Sequence, residues 1–225
     1  MNDKQHIAQH AAQQVKNGMI VGLGTGSTAN FFIEELARRQ NQEGLQFKAV
    51  ASSVVSSIKA QQLGLPLIAI NHIDGLDLYV DGADEVTPDL TLLKGRGYDL
   101  VREKLLAKAA DSFLVLIDNS KRVTRIGENF PIPIEVMPFA WQLVQRSLAA
   151  IGGAATLRQT ANKDGLWVSS HGSLVLDVTF TSSIDHQALN EHLNAIPGIV
   201  EHGIFSGLTS AVFCAHEGQV EEQWA

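Results

Sequence analysis

Three stretches of this chain combine residue types that do chemistry. The first is Gly22-Leu23-Gly24-Thr25-Gly26-Ser27-Thr28, set between a short apolar run and a helical pattern. Glycines let backbone approach a ligand, N–H groups at a helix start point outward, and the Ser27 and Thr28 hydroxyls add donors. Together they suit a phosphate cradle. The dinucleotide fingerprint fails, because its third glycine position is Ser27 and no strand-ending acid follows about twenty residues on. No Gly-Lys-Ser/Thr closes the stretch as a P-loop either. A tight strand-to-helix turn that binds nothing gives the same pattern.

The second stretch is Val80-Asp81-Gly82-Ala83-Asp84-Glu85, directly after an apolar strand pattern. Ligands of open α/β sheets sit beyond the carboxyl ends of the strands. There, two close carboxylates repel, and one becomes an acid beside a base. The plain alternative has Asp81 capping a loop and Asp84 in water. The third stretch is Lys94-Gly95-Arg96-Gly97-Tyr98-Asp99, followed by Arg102-Glu103-Lys104 in a helix. Glycines around Lys94 again suit close approach to a ligand, whereas Arg102-Glu103-Lys104 on its own reads as a solvated face. Lys121 follows another strand. All four features follow strands, so the sequence predicts that they converge at one sheet edge. No His or third acid at metal-ligand spacing accompanies them, which predicts no metal site.

The elements that must position these residues follow from periodicity. Helices are predicted over 3–17, Ala29–Arg39, from Ser53 to Gly64, and over Val101–Ala109. Strands are predicted at 19–21, Phe47–Ala51, Leu65–Ala69, Leu76–Val80 and Phe113–Ile117. Strands alternating with helices imply a mostly parallel sheet covered on both faces. After Pro131 the pattern changes. A strand at Ile132–Val136 precedes a helix from Pro138 to Ile151. Strands at 154–159 and 166–179 flank the turn Asn162-Lys163-Asp164-Gly165, and a helix at Asp185–Ala195 leads to a strand at Ile199–His202. That β-α-β-β-α-β order is the split unit of a ferredoxin-like domain. Ala211–Ala215 reads as a strand returning to the first sheet. The predicted architecture is α/β. A Rossmann-like domain at 1–127 plus 204–225 carries an inserted ferredoxin-like α+β domain at 128–203.

Composition bounds the function. The chain has 225 residues, of which 45 % are hydrophobic and 18 % charged, so it is not a disordered polyelectrolyte. A chain of this size buries roughly 70 % of its unfolded surface, enough for a core without staples. Lys plus Arg number 17 against 24 Asp plus Glu, a net charge of −7, which argues against nucleic acid as a partner. No apolar run reaches the ~18 residues of a membrane span, and no signal-peptide pattern opens the chain. Cys214 is the one cysteine, which excludes an intrachain disulfide and fits a cytoplasmic protein.

With these residues in place, the chain resembles the type A ribose-5-phosphate isomerases over nearly its whole length. The resemblance rests on Gly24-Thr25-Gly26-Ser27-Thr28, Tyr79-Val80-Asp81-Gly82-Ala83-Asp84-Glu85, Lys94-Gly95 and Arg102-Glu103-Lys104. Ser120-Lys121 and Asn194-Ala195-Ile196-Pro197-Gly198 support it. It implies interconversion of D-ribose 5-phosphate and D-ribulose 5-phosphate in the pentose phosphate pathway, with no cofactor, by a homodimer or in some members a tetramer. By position, Glu103 matches the proton-transferring base. Asp81 matches an acid/base group of ring opening, and Asp84 and Lys94 match polar groups around the reacting oxygens. Thr25, Gly26, Ser27, Thr28, Asp81, Gly82, Ala83, Asp84, Lys94, Gly95, Arg96, Gly97 and Lys121 fall on substrate-binding segments. One departure stands out: after the lysine the family commonly has three or four glycines and then small residues, where this chain has Arg96, Tyr98 and Asp99. Arg96 either points into water or contacts the substrate, and Asp99, if helical, disfavours ionisation of Glu103. The alternatives are a non-catalytic sugar-phosphate-binding sensor on the same fold and an isomerase of a related sugar phosphate.

Overall fold

Runs of Val, Leu, Ile and Phe with no polar alternation need cover on both faces, and they form the central parallel strands. The computed structural model describes residues 2–97, 99–180, 185–216 and 218–225; Tyr98 of the lysine stretch lies outside the described residues. In chain order the helices are α1 (Asp3–Ala12), α2 (Ser27–Glu43), α3 (Val54–Gln62), α4 (Leu100–Ala109), α5 (Trp141–Ala150) and α6 (His186–Asn194). The strands begin with β1 (Ile20–Leu23), β2 (Lys48–Ala51), β3 (Leu76–Gly82), β4 (Glu85–Val86), β5 (Leu92–Leu93) and β6 (Ala110–Asp118). Then come β7 (Ile132–Val136), β8 (Gly153–Leu157), β9 (Leu174–Phe180), β10 (Ile199–His202), β11 (Ile204–Phe205), β12 (Ala211–His216) and β13 (Gln219–Trp224).

The chain divides into two compact units. The first holds residues up to Ala83, Arg102–Arg122 and Gly207–Ala225. Its sheet has the order β13-β12-β6-β3-β1-β2, parallel except for the antiparallel edge β13. Ile7 and Ala11 of α1 and Phe32, Ile33 and Leu36 of α2 pack on Val21, Val80, Leu114 and Phe213 of that sheet. The i, i+3, i+4 spacing of those apolar residues places them on one helix face. The C-terminal end of β1 therefore opens into the loop that carries Gly24–Gly26, and the C-terminal end of β3 carries Asp81.

The second unit holds Asp84–Val101 and Val123–Ser206. Its four-stranded antiparallel sheet has the order β10-β7-β9-β8, that of the split β-α-β unit. Ile132, Ile134 and Val136 of β7 and Leu176 and Val178 of β9 pack on Val144 and Leu148 of α5 and Leu189 and Leu193 of α6. A three-stranded ladder, β11-β5-β4, carries the segment before Lys94.

Local details depart from the periodicity. The first helix stops at Ala12, because the N–H groups of Gln13, Gln14 and Val15 bond three residues back rather than four. Leu65–Ala69 contributes a single bridge, Ala49 to Leu67, since Pro66 has no N–H to give a ladder. The long strand expected at 166–179 is broken: Gly172 takes φ +83°, Ser169 and Ser173 close a turn around it, and the regular ladder starts at Leu174. The edge strand β13 and the short strands β4, β5 and β11 were not legible from periodicity.

Candidate active site

Asp81, the last residue but one of β3, is only 1 % exposed. Its Oδ1 accepts from the backbone N–H groups of Thr25 (3.0 Å) and Gly82 (2.8 Å), and its Oδ2 accepts from the Tyr79 hydroxyl. Gly24 makes this possible, because a Cβ there would collide with the Asp81 carboxylate. Likewise, a Cβ on Gly22 would strike the Tyr79 ring. Two of the three loop glycines thus make room for β3 side chains. Gly26, at φ +112°, opens α2.

Tyr79 is fully buried and stacks on Phe113, with ring centroids 4.8 Å apart. Burial first, and then the charges of Asp81 and Glu103, push its phenol well above the ordinary tyrosine range. Tyr79 is therefore a fixed neutral donor, and Glu103 lies near enough to act on the same ring as Asp81. Glu103 sits in the first turn of α4, 6 % exposed.

Thr25 is anchored by hydroxyls. Its Oγ1 lies 3.1, 2.6 and 2.9 Å from the Oγ atoms of Ser52, Ser53 and Ser56, and Ser56 donates to the Gly24 carbonyl at 2.6 Å. All three serines are buried. At the start of α2, Gly26 offers no side chain to cap the helix, whose first N–H groups have no intrahelical partner. Lys4 reaches this point from α1, donating to Ser27 Oγ at 2.9 Å. Asp118 is held below the usual carboxylate range by the Ser120 hydroxyl, then by the Ser120 N–H, with the charges of Lys121 and Lys4 adding to this. Two ammonium groups thus attend one end of the first unit's sheet.

The remaining candidates belong to the second unit. The Asp84 N–H bonds to the Leu93 carbonyl, and Arg96 Nη1 lies 3.8 Å from Asp84 Oδ1. The Arg96 guanidinium stacks over Phe130, 3.9 Å from the ring centroid, while the side chain stays half exposed. Phe130 is presented by a turn that Glu85 organises. The fully buried Glu85 carboxylate accepts from the N–H groups of Gly127, Asn129 and Phe130, so this acid is structural. Lys94 is 4 % exposed, with Nζ 5.7 Å from the Phe205 centroid and its own N–H on the Gly203 carbonyl. Asp99 precedes α4 rather than lying in it, is buried, and accepts from the Ser170 hydroxyl. Among the described residues no group of three or more His, Cys, Asp or Glu is placed to hold a metal ion.

Comparison with known proteins decides the family. A model described as ribose 5-phosphate isomerase A (phosphoriboisomerase A) matches residues 48–219. The chain belongs to the ribose 5-phosphate isomerase A family. Ribose-5-phosphate isomerase A of Thermosynechococcus vestitus is 42 % identical over 210 residues, covering 93 % of this chain and 89 % of the relative. That of Methanothermobacter thermautotrophicus is 43 % identical over 212 residues, covering 94 % and 93 %. The solved ribose 5-phosphate isomerase A of Methanocaldococcus jannaschii superposes with TM-score 0.93 at 38 % identity, covering 99 % and 98 %. A D-ribose-5-phosphate isomerase in complex with phospho-erythronic acid gives 0.95 at 34 % identity over 100 % of both chains.

Sequence reasoning passed over several residues that the structure gathers around the family motifs. Ser52, Ser53, Ser56 and Lys4 reach their partners across strand or helix boundaries, so no local spacing announces them, and Tyr79, though part of the Asp81 motif, was given no role. One signal was available: Tyr79 stands two residues before Asp81 on one strand, which points both side chains to the same face. Cys214 is buried and donates to Asn119 Oδ1, and burial pushes its thiol up, in keeping with a packed small hydrophobe.

Proposed function

We infer that this chain interconverts D-ribose 5-phosphate and D-ribulose 5-phosphate in the pentose phosphate pathway, an aldose–ketose isomerisation through an enediolate. Family membership sets the reaction class. The observation that carries the reading in this chain is the burial of two acids, Asp81 and Glu103, with Asp81 oriented by the Thr25 and Gly82 N–H groups and the Tyr79 hydroxyl. Phospho-erythronic acid, bound by a solved relative, suits the same chemistry, since its carboxylate resembles the two oxygens of an enediolate.

The reaction moves a proton between C1 and C2 while the carbonyl changes place. Glu103 takes the proton from one carbon and returns it to the other. Asp81 exchanges protons with the ring oxygen and the anomeric hydroxyl during ring opening, held in orientation by Thr25, Gly82 and Tyr79. Lys94 stabilises the oxyanion as it forms, a contribution often worth several kcal/mol in a water-poor site. Asp84 orients hydroxyls. The substrate is held by Thr25, Gly26, Ser27 and Thr28, by Gly82 and Ala83, by Gly95, Arg96 and Gly97, and by Lys121. Lys4 joins the group at Ser27. Phosphate suits the start of α2, where helix N–H groups and the Lys4 ammonium offset a net charge of −7 that would otherwise repel an anion.

Assembly as a homodimer in the cytoplasm follows from the family resemblance, and sedimentation of the purified chain tests the dimer. No helix among the described residues is long and apolar enough to cross a membrane. A turnover assay on ribose 5-phosphate, run beside a binding assay and a panel of sugar phosphates, tests the activity. Conversion of ribose 5-phosphate with the highest kcat/KM supports it, and binding without conversion makes the chain a sensor. Because the chemistry assigned here uses only side chains, activity should survive exhaustive chelation. Loss with EDTA and rescue by a divalent ion would contradict that.

A further inference from the structure

We propose that Arg158, paired with Asp177, is a positioning residue for Lys94, so that the sheet of the second unit sets the geometry of the catalytic ammonium. This rests on the reading of Lys94 as the group that stabilises the oxyanion.

Arg158 follows the end of β8. Its backbone is fixed on both sides, its N–H on the Val175 carbonyl (2.8 Å) and its carbonyl accepting from the Trp167 N–H (2.9 Å). Its side chain forks. Nε and Nη2 donate to the two carboxylate oxygens of Asp177 on β9, a bidentate arrangement that leaves the guanidinium one orientation. The Trp167 ring flanks it, 5.5 Å from centroid to Cζ. In that orientation Nη1 donates to the Gly95 carbonyl at 3.2 Å, across 63 residues of sequence. Both side chains are largely withdrawn from water, at 14 % and 23 % exposure, so the pair is not a screened surface bridge.

Gly95 is the residue after Lys94, and its backbone conformation is one that glycine permits. Its φ is +95°, a conformation that L side chains rarely adopt, and a Cβ would press on Leu100 and Pro133. On the other side, the Lys94 N–H bonds to Gly203, whose own N–H bonds to Pro133 of β7. The main chain of Lys94 is thus held from behind by β7 through Gly203, and from ahead by β8 and β9 through Arg158. An ammonium stabilises an oxyanion only if it is in place before charge develops, and misplacement by about 1 Å can cost up to ~10²-fold. Without Arg158, Lys94 would lose its placement.

The experiment is a double-mutant cycle between Arg158→Met and Lys94→Met, reading kcat and KM for ribose 5-phosphate with thermal unfolding alongside. Arg158→Met should lower kcat by roughly 10-fold with KM within about 3-fold of wild type, and Arg158→Lys should recover part of the loss. In the Lys94→Met background, Arg158→Met should cost nothing further, because the group it positions is gone. The same loss repeated in full in that background, or a folded Arg158→Met with wild-type kcat, overturns the proposal. Lys94→Met at near wild-type kcat overturns the reading of Lys94 itself, and the inference with it. If Arg158→Met does not fold, Arg158→Lys and Asp177→Asn run through the same cycle, with a smaller kcat loss that vanishes without Lys94 as the supporting result.

Discussion

Asp81 of the first unit and Arg158 of the second are held by different kinds of group. Asp81 accepts from two backbone N–H groups and a phenol, and beside it Ser56 bonds the Gly24 carbonyl while Ser52, Ser53 and Ser56 meet the Thr25 hydroxyl. In the second unit Arg96 leans toward Asp84, and Arg158 is locked on Asp177. Backbone N–H groups and a phenol fix the orientation of a carboxylate that must gain and lose protons. Ion pairs fix a loop while keeping charge localised, which suits a group that must offer a permanent positive field. The difference separates two tasks of one isomerisation, moving protons and steadying an oxyanion.

That separation can be broken experimentally, beginning with the largest effect. Glu103→Gln keeps the shape of the side chain but removes the base, and should lower kcat by roughly 10²-fold or more in a folded protein. Near-normal turnover would take proton transfer away from α4. Tyr79→Phe removes one donor to Asp81 and should reduce kcat/KM by about 10-fold, the effect of one hydrogen bond to a charged group. The sign of its pH dependence is fixed by the raised phenol: Tyr79 stays protonated through neutral and mildly alkaline pH, so the ratio of variant to wild type should be flat there. A ratio approaching one as pH rises would mean that Tyr79 ionises and has been misread. Arg96→Gly should have the smallest effect, a rise in KM of about threefold with kcat nearly unchanged, since its guanidinium is half exposed and 3.8 Å from Asp84. An unchanged KM removes Arg96 from the substrate-binding set.

The class of fold could be read from the alternation of apolar strands and amphipathic helices, and the strand order of the second unit follows from the β-α-β-β-α-β pattern after Pro131. Breaks within elements were harder to see. Val168 and Leu174 both belong to an apolar stretch that periodicity reads as one strand, yet the glycine between them turns the chain. Gln219–Trp224 is polar at most positions and becomes a strand only because Ala211–His216 offers it an edge. The candidate residues stood out because each lies in a short run of glycines, acids or lysines. Most of their supports did not, since the bonds between Ser53 and Thr25 and from Arg158 to Gly95 join segments far apart in the chain. Glu85 shows the converse: it reads as a third acid of the Asp81 stretch, and its carboxylate is fully engaged by the turn at 127–130.

The most direct test follows hydrogen at C2. Ribose 5-phosphate incubated with the enzyme in deuterium oxide and analysed by NMR should gain deuterium at C2 as isomerisation proceeds. A folded Glu103→Gln protein should exchange at a rate lower by the same factor as its kcat. Exchange by that variant at the wild-type rate would contradict the assignment of the carbon proton to Glu103.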